Sequence, residues 1–110
     1  MAGRDLTRNA EESEKAIESY LVTLTKRAGG MPLKFSSATQ TGYPDRLLLF
    51  PGGRQIWVEV KSKGRHPTRL QATRIRALRD IGHRVEICDS RERAAEIIRT
   101  ITDNRTGDEI

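Results

Sequence analysis

Leu47-Leu48-Leu49-Phe50, then Pro51-Gly52-Gly53, then Gln55-Ile56-Trp57-Val58-Glu59-Val60-Lys61 is the stretch that decides the fold. The first run is apolar and reads as a strand. Pro-Gly-Gly reads as a tight turn. The third run alternates, with Ile56, Val58 and Val60 on one face and Trp57, Glu59 and Lys61 on the other. Together they predict a β-hairpin. Just before it, Gly42-Tyr43-Pro44-Asp45 places an acid at the mouth of the first strand.

Working outward, Ala16, Ile17, Tyr20, Leu21 and Leu24 recur at helical spacing, predicting a helix over about 10–28 that stops at Gly29-Gly30. Asn9 with Glu12 suits its start. Met31 to Phe35 reads as a short strand, and Ser36 to Gly42 as a polar loop. A second helix opens at Thr68-Arg69-Leu70-Gln71 and ends near Ile81-Gly82, with Leu70, Ile75, Leu78 and Ile81 as its buried face. His83 to Cys88 is a further strand. Asp89 to Glu92 resembles a capping box before a helix carrying Ala94, Ile97, Ile98 and Ile101. The order α, β, β, β, α, β, α predicts one mixed sheet with flanking helices.

The 110 residues suit one domain, with residues 1–9 and 103–110 expected to be loose ends around a core over 10–102. The net charge of +5 makes a polyanionic partner plausible. A single cysteine, Cys88, excludes an internal disulfide framework and a multi-cysteine metal site. No apolar run approaches the roughly 20 residues that span a bilayer, and the N-terminus carries no signal-peptide core. A soluble protein of the cytoplasm is the expectation.

The chemistry concentrates near the hairpin. Glu59 and Lys61 are two apart in a strand and project to one face; a hairpin register brings Asp45 beside them. Two carboxylates suit Mg²⁺ or Mn²⁺, hard ions that take oxygen ligands and keep several waters. Such a metal activates water, and Lys61 can meet a phosphate. Against this, a Glu-x-Lys pair is also an ordinary cross-strand decoration, and Pro-Asp an ordinary turn.

Gln71 falls within the apolar arc of its helix, yet Thr68-x-x-Gln71 is itself a capping box, so both readings stay open. Arg69, Arg76 and Arg79 map to the outer helix face, while Arg74 lies near the apolar arc, where it snorkels or meets a phosphate. From Lys61 to Arg79 there are seven Lys or Arg and no acid, including Lys63, Arg65, Arg69 and Arg74, a candidate DNA-backbone contact. Aromatics are too few to suggest a base-stacking platform, and Trp57 reads as core. Glu14 and Glu18 border the first helix's apolar stripe, so either could supply a third acid.

These pieces, in order, resemble the VRR-NUC domain, a branch of the PD-(D/E)XK nucleases with a restriction-endonuclease-like core. The matching segments are Ile17-Glu18-Ser19-Tyr20-Leu21, Ala28-Gly29-Gly30, Leu33-Lys34-Phe35, Gly42-Tyr43-Pro44-Asp45-Arg46, Pro51-Gly52-Gly53, Val58-Glu59-Val60-Lys61, Leu70-Gln71 and Ile81-Gly82-His83-Arg84-Val85. The resemblance implies that Asp45, Glu59 and the Val60 carbonyl bind Mg²⁺ or Mn²⁺, that Lys61 is the catalytic lysine, and that Gln71 and Glu18 stand beside the site, with Glu14 as the alternative helix acid. It further implies a small phage or bacterial homodimer acting on branched DNA such as four-way junctions. Tyr43 departs from the small aliphatic residue common at that position. A non-catalytic DNA-binding module on the same fold, and a protein-interaction domain with solvated acids, are the competing readings.

Overall fold

A computed structural model describes residues 13–108, with side chains described to Asp103. Within them the predicted order appears: α1 (Glu14–Arg27), β1 (Met31–Lys34), β2 (Arg46–Phe50), β3 (Arg54–Val60), α2 (Arg69–Asp80), β4 (Val85–Cys88) and α3 (Arg91–Asp108). The expected Asn9–Glu12 start lies outside the described residues. Inside them Ser13 caps α1, its hydroxyl accepting from the Ala16 N–H at 3.2 Å. The capping expected of Asp89 falls to the next residue, where Ser90 Oγ accepts from the Arg93 N–H at 2.9 Å. The α3 backbone stays helical to Asp108, past Asp103, where polar composition predicts fraying.

The sheet order is β1-β2-β3-β4, antiparallel across the first two pairs and parallel across the last. The β2–β3 hairpin closes through the predicted turn, with Phe50 opposite Arg54 and Arg46 opposite Val58. The parallel step to β4 needs a crossover, which α2 supplies.

Strand alternation divides the residues between two unequal faces. Leu48, Ile56, Val58, Val60 and Cys88 pack on Ile17 and Leu21 of α1 and on Ala94, Ile97, Ile98 and Ile101 of α3. This is the core, and it fixes the register, since a one-residue slip would expose every strand residue in it. Gly30 lets the chain leave α1 close to the sheet: a Cβ there would stand 2.8 Å from the Leu49 carbonyl oxygen.

The second face is thinly covered. Helix α2 packs against β4. Of its four predicted buried residues only Ile75 is buried; Leu78 is half-buried, and Leu70 and Ile81 are exposed. Helix α2 is too far to one side to cover β1 and β2. Leu47 and Leu49 are therefore half-buried, and Met31 and Leu33 are exposed. Trp57, expected in the core, lies half-buried on this face for the same reason. Among the described residues, no helix is long and apolar enough to cross a membrane.

Candidate active site

Asp45 precedes β2, and its carbonyl accepts from the Phe35 N–H at 2.7 Å, one step past the Lys34–Arg46 pair. The β2–β3 register, continued one step beyond Arg46–Val58, sets Asp45 directly opposite Glu59. Opposed residues of an antiparallel pair share a face. The two carboxylates therefore meet at the end of the hairpin. The Val60 backbone N–H, beside the Asp45 carboxylate, favours its charged form. Lys61 Nζ stands 3.7 Å from Glu59 Oε2.

Glu59 is only 1% exposed, and its Oε1 is buried without a hydrogen-bond partner. Burial, followed by the Asp45 charge, pushes the Glu59 carboxyl up to about 7, against the opposing pull of Lys61. Asp45 is also raised, by burial first and then by Glu18; Lys61, Lys34 and the Val60 N–H hold it back. Orphaned buried carboxylate oxygens are costly, and a hard cation would satisfy this one. Among the described residues no three His, Cys, Asp or Glu side chains group closely enough to hold a metal ion. The donor set is thus a carboxylate pair, which fits an ion that keeps much of its water, as Mg²⁺ does.

The helix acids do not join that pair as ligands. Glu18 accepts from Arg46 Nε at 2.8 Å and lies 3.8 Å from Lys34 Nζ. Arg46 also donates from Nη1 to the Pro32 carbonyl at 3.0 Å. Glu18 acts on Asp45 through its charge, and Glu14 acts likewise on Glu59. Arg46 as the residue that holds Glu18 was not singled out in the sequence. The available signal was its place between Asp45 and the apolar strand, on the opposite face from Asp45.

Gln71 forms the capping box. Its Oε1 accepts from the Thr68 N–H at 2.8 Å, and its own N–H donates to Thr68 Oγ1 at 3.2 Å. Its side-chain carbonyl is committed to the helix start rather than to the carboxylates.

Arg74 is tied to the neighbouring loop through Nε rather than snorkelling. Its Nε donates to the Thr41 carbonyl at 3.0 Å, and its guanidinium lies 4.9 Å from the centre of the Tyr43 ring. It latches α2 to the loop that leads into Asp45. Gly42 makes room for this contact: at φ +90° a Cβ would stand 2.7 Å from Leu70 Cγ. Arg79, expected on the outer face, donates from Nε and Nη2 to the Val85 carbonyl at 3.2 and 2.6 Å. Lys63, Arg65 and Arg69 are exposed and remain available to a polyanion.

Cys88 is buried, its Sγ set 3.4 Å from the Ser90 carbonyl, and burial pushes its thiol up to about 11. It is no nucleophile at neutral pH.

A four-stranded mixed sheet with a carboxylate pair and a lysine at one end of its hairpin defines a nuclease-type core. No family model matches the sequence. A protein of Acyrthosiphon pisum secondary endosymbiont phage 1 named "Putative nuclease p44" is 39% identical over 79 residues, covering 72% of this chain and 85% of that protein. A solved structure titled "VRR_NUC domain" superposes with a TM-score of 0.76 at 26% identity, covering 78% of this chain and 94% of that one. The chain belongs to the VRR-NUC family of nucleases.

Proposed function

We infer that the protein is a Mg²⁺- or Mn²⁺-dependent endonuclease of DNA, with branched molecules such as four-way junctions as its preferred substrate. The single observation that carries the metal is the buried, unpartnered Glu59 Oε1 opposite Asp45. Asp45, Glu59 and the Val60 carbonyl would hold the ion, which when bound supplies an activated water and charge neutralisation at the phosphate. The Val60 N–H favours the charged form of the Asp45 carboxylate. Lys61, held beside Glu59, contacts the scissile phosphate as a cation. Lys63, Arg65 and Arg69 bind flanking phosphates without reading sequence.

The working form is a two-fold dimer that presents two sites to a two-fold substrate. The exposed Met31 and Leu33 on the open sheet face support it. The protein acts in the cytoplasm of a bacterial or phage-infected cell.

The test is incubation with labelled four-way junction, flap and linear duplex, in Mn²⁺ or EDTA, with light scattering of the same sample. Cutting in Mn²⁺ alone, fastest on the junction, by a particle of two chains is expected. Equal cutting in EDTA would remove the metal. Binding of all three DNAs without cutting would favour the non-catalytic binding module.

A further inference from the structure

The chain has few aromatic residues, but Trp57, Phe35 and Tyr43 form one edge-to-face series. The Phe35 centroid lies 5.0 Å from that of Trp57 and 6.0 Å from that of Tyr43, at interplanar angles of 82° and 77°. The series leads to a cleft of about 210 Å³ walled by Phe35 and Tyr43, edged by Ser36, Ser37, Gln40 and Thr41, and closed by Asp45.

The lining selects its occupant. Apart from Asp45 it carries no charge, and Arg74 beside it is bonded to Thr41 and lies over Tyr43. Lys61 and Lys34 act on Asp45 but are not part of the lining, so the cleft wall itself offers a phosphate a carboxylate and no cation. A flat, neutral heterocycle would meet the Phe35 and Tyr43 rings, hydroxyls and an amide. A cleft of about 210 Å³ is on the scale of one unpaired ring rather than a base pair. Phe35 keeps 36% of its surface exposed, so a ring can stack there.

We propose that this cleft seats one unpaired nucleobase adjoining the phosphate held at Asp45 and Glu59. The proposal rests on the nuclease reading and adds to it a reason for preferring branched DNA. A nucleotide whose stack is already interrupted enters at a lower cost of unstacking and unpairing. Base pairs flanking a branch point can lose a stacking neighbour and then open at lower cost than those inside a continuous duplex. The Gln40 N–H is spent on Ser37 Oγ at 3.0 Å, which shapes the loop rather than the base contact.

The test is a coupling measurement. Four-way junctions with a single abasic nucleotide, moved one position at a time through the branch, are bound in Ca²⁺, which allows binding without cutting. Dissociation constants are compared for the wild-type protein, Phe35→Ala and Phe35→Leu. Phe35→Leu keeps apolar bulk against Trp57 and covers the case in which Phe35→Ala fails to fold. One position is expected at which base removal weakens wild-type binding about tenfold and weakens the folded Phe35 variant no further. Independent losses from base and ring, or no sensitive position, would overturn the cleft. Mn²⁺-dependent cutting of the unmodified junction is scored in parallel. Cutting without coupling removes the cleft and leaves the nuclease, whereas coupling without cutting keeps the base site and removes the nuclease reading.

Discussion

Asp45 stands across the β2–β3 ladder from Glu59, and its charge helps hold the Glu59 carboxyl protonated up to about pH 7. The folded site, free of metal, therefore resists having both acids ionised.

The first consequence is a stability profile. Folding raises the Glu59 pKa from 4.5 to about 7, so between those values the folded chain keeps a proton that the unfolded chain has released. This contribution is fully present below pH 4.5 and is lost as pH rises through 7. Metal-free Glu59→Gln should melt above the wild type at pH 8, by at most about 3 kcal/mol, with the gap closing by pH 5. Scanning calorimetry in EDTA at the two pH values measures it. A gap that widens towards pH 5 would have the wrong sign.

The second concerns Glu18 and Arg46. The Glu18 charge raises Asp45, and Arg46 partly neutralises it at 2.8 Å. Glu18→Gln should lower the Asp45 pKa, and Arg46→Ala should raise it. Both should cost stability, about 2 kcal/mol for a charged hydrogen bond. A carboxyl titration by NMR separates the two directions. Shifts of the same sign would mean that the pair does not act through charge.

How much of this was legible in the sequence depends on the residue. Strand alternation and the Pro-Gly-Gly turn settle the hairpin, and hence the pairing of Asp45 with Glu59. The face of Glu59 followed from period two, yet its burial did not, because burial depends on what covers the sheet. Helix α2 misled for the same reason: its apolar arc is real, but it meets only β4, leaving Leu70 and Ile81 exposed. Gln71 satisfied two patterns, and local capping won because the Thr68 N–H needs an acceptor. Contacts distant in sequence, such as Arg74 to Thr41 and Phe35 to Trp57, have no local signature.

The third prediction tests the loop that delivers Asp45. Gly42 at φ +90° faces Leu70 at 2.7 Å once a Cβ is added. Gly42→Ala adds strain and a clash, and should destabilise by about 2 kcal/mol. Arg74→Ala should cost less in melting, about 1 kcal/mol, while lowering activity by misplacing Asp45. Urea melts paired with cleavage rates measure both. Wild-type stability in Gly42→Ala would refute the close packing.

The fourth concerns the basic stretch. Lys63 and Arg65 are exposed on the loop before α2. If each neutralises a phosphate, the Lys63→Ala and Arg65→Ala variants should each reduce the logarithmic salt slope of duplex binding by about 0.9. Anisotropy titrations across a salt series give that slope. An unchanged slope would move the DNA to another face.

The most direct measurement is cleavage of a four-way junction in Mn²⁺ by wild-type, Asp45→Ala and Glu59→Ala proteins purified identically and shown to be folded. Loss of roughly a hundredfold in both variants is predicted, since each would remove a proposed ligand of the ion that would supply the attacking water. Cutting retained by both would contradict the assignment of these two carboxylates as the metal site.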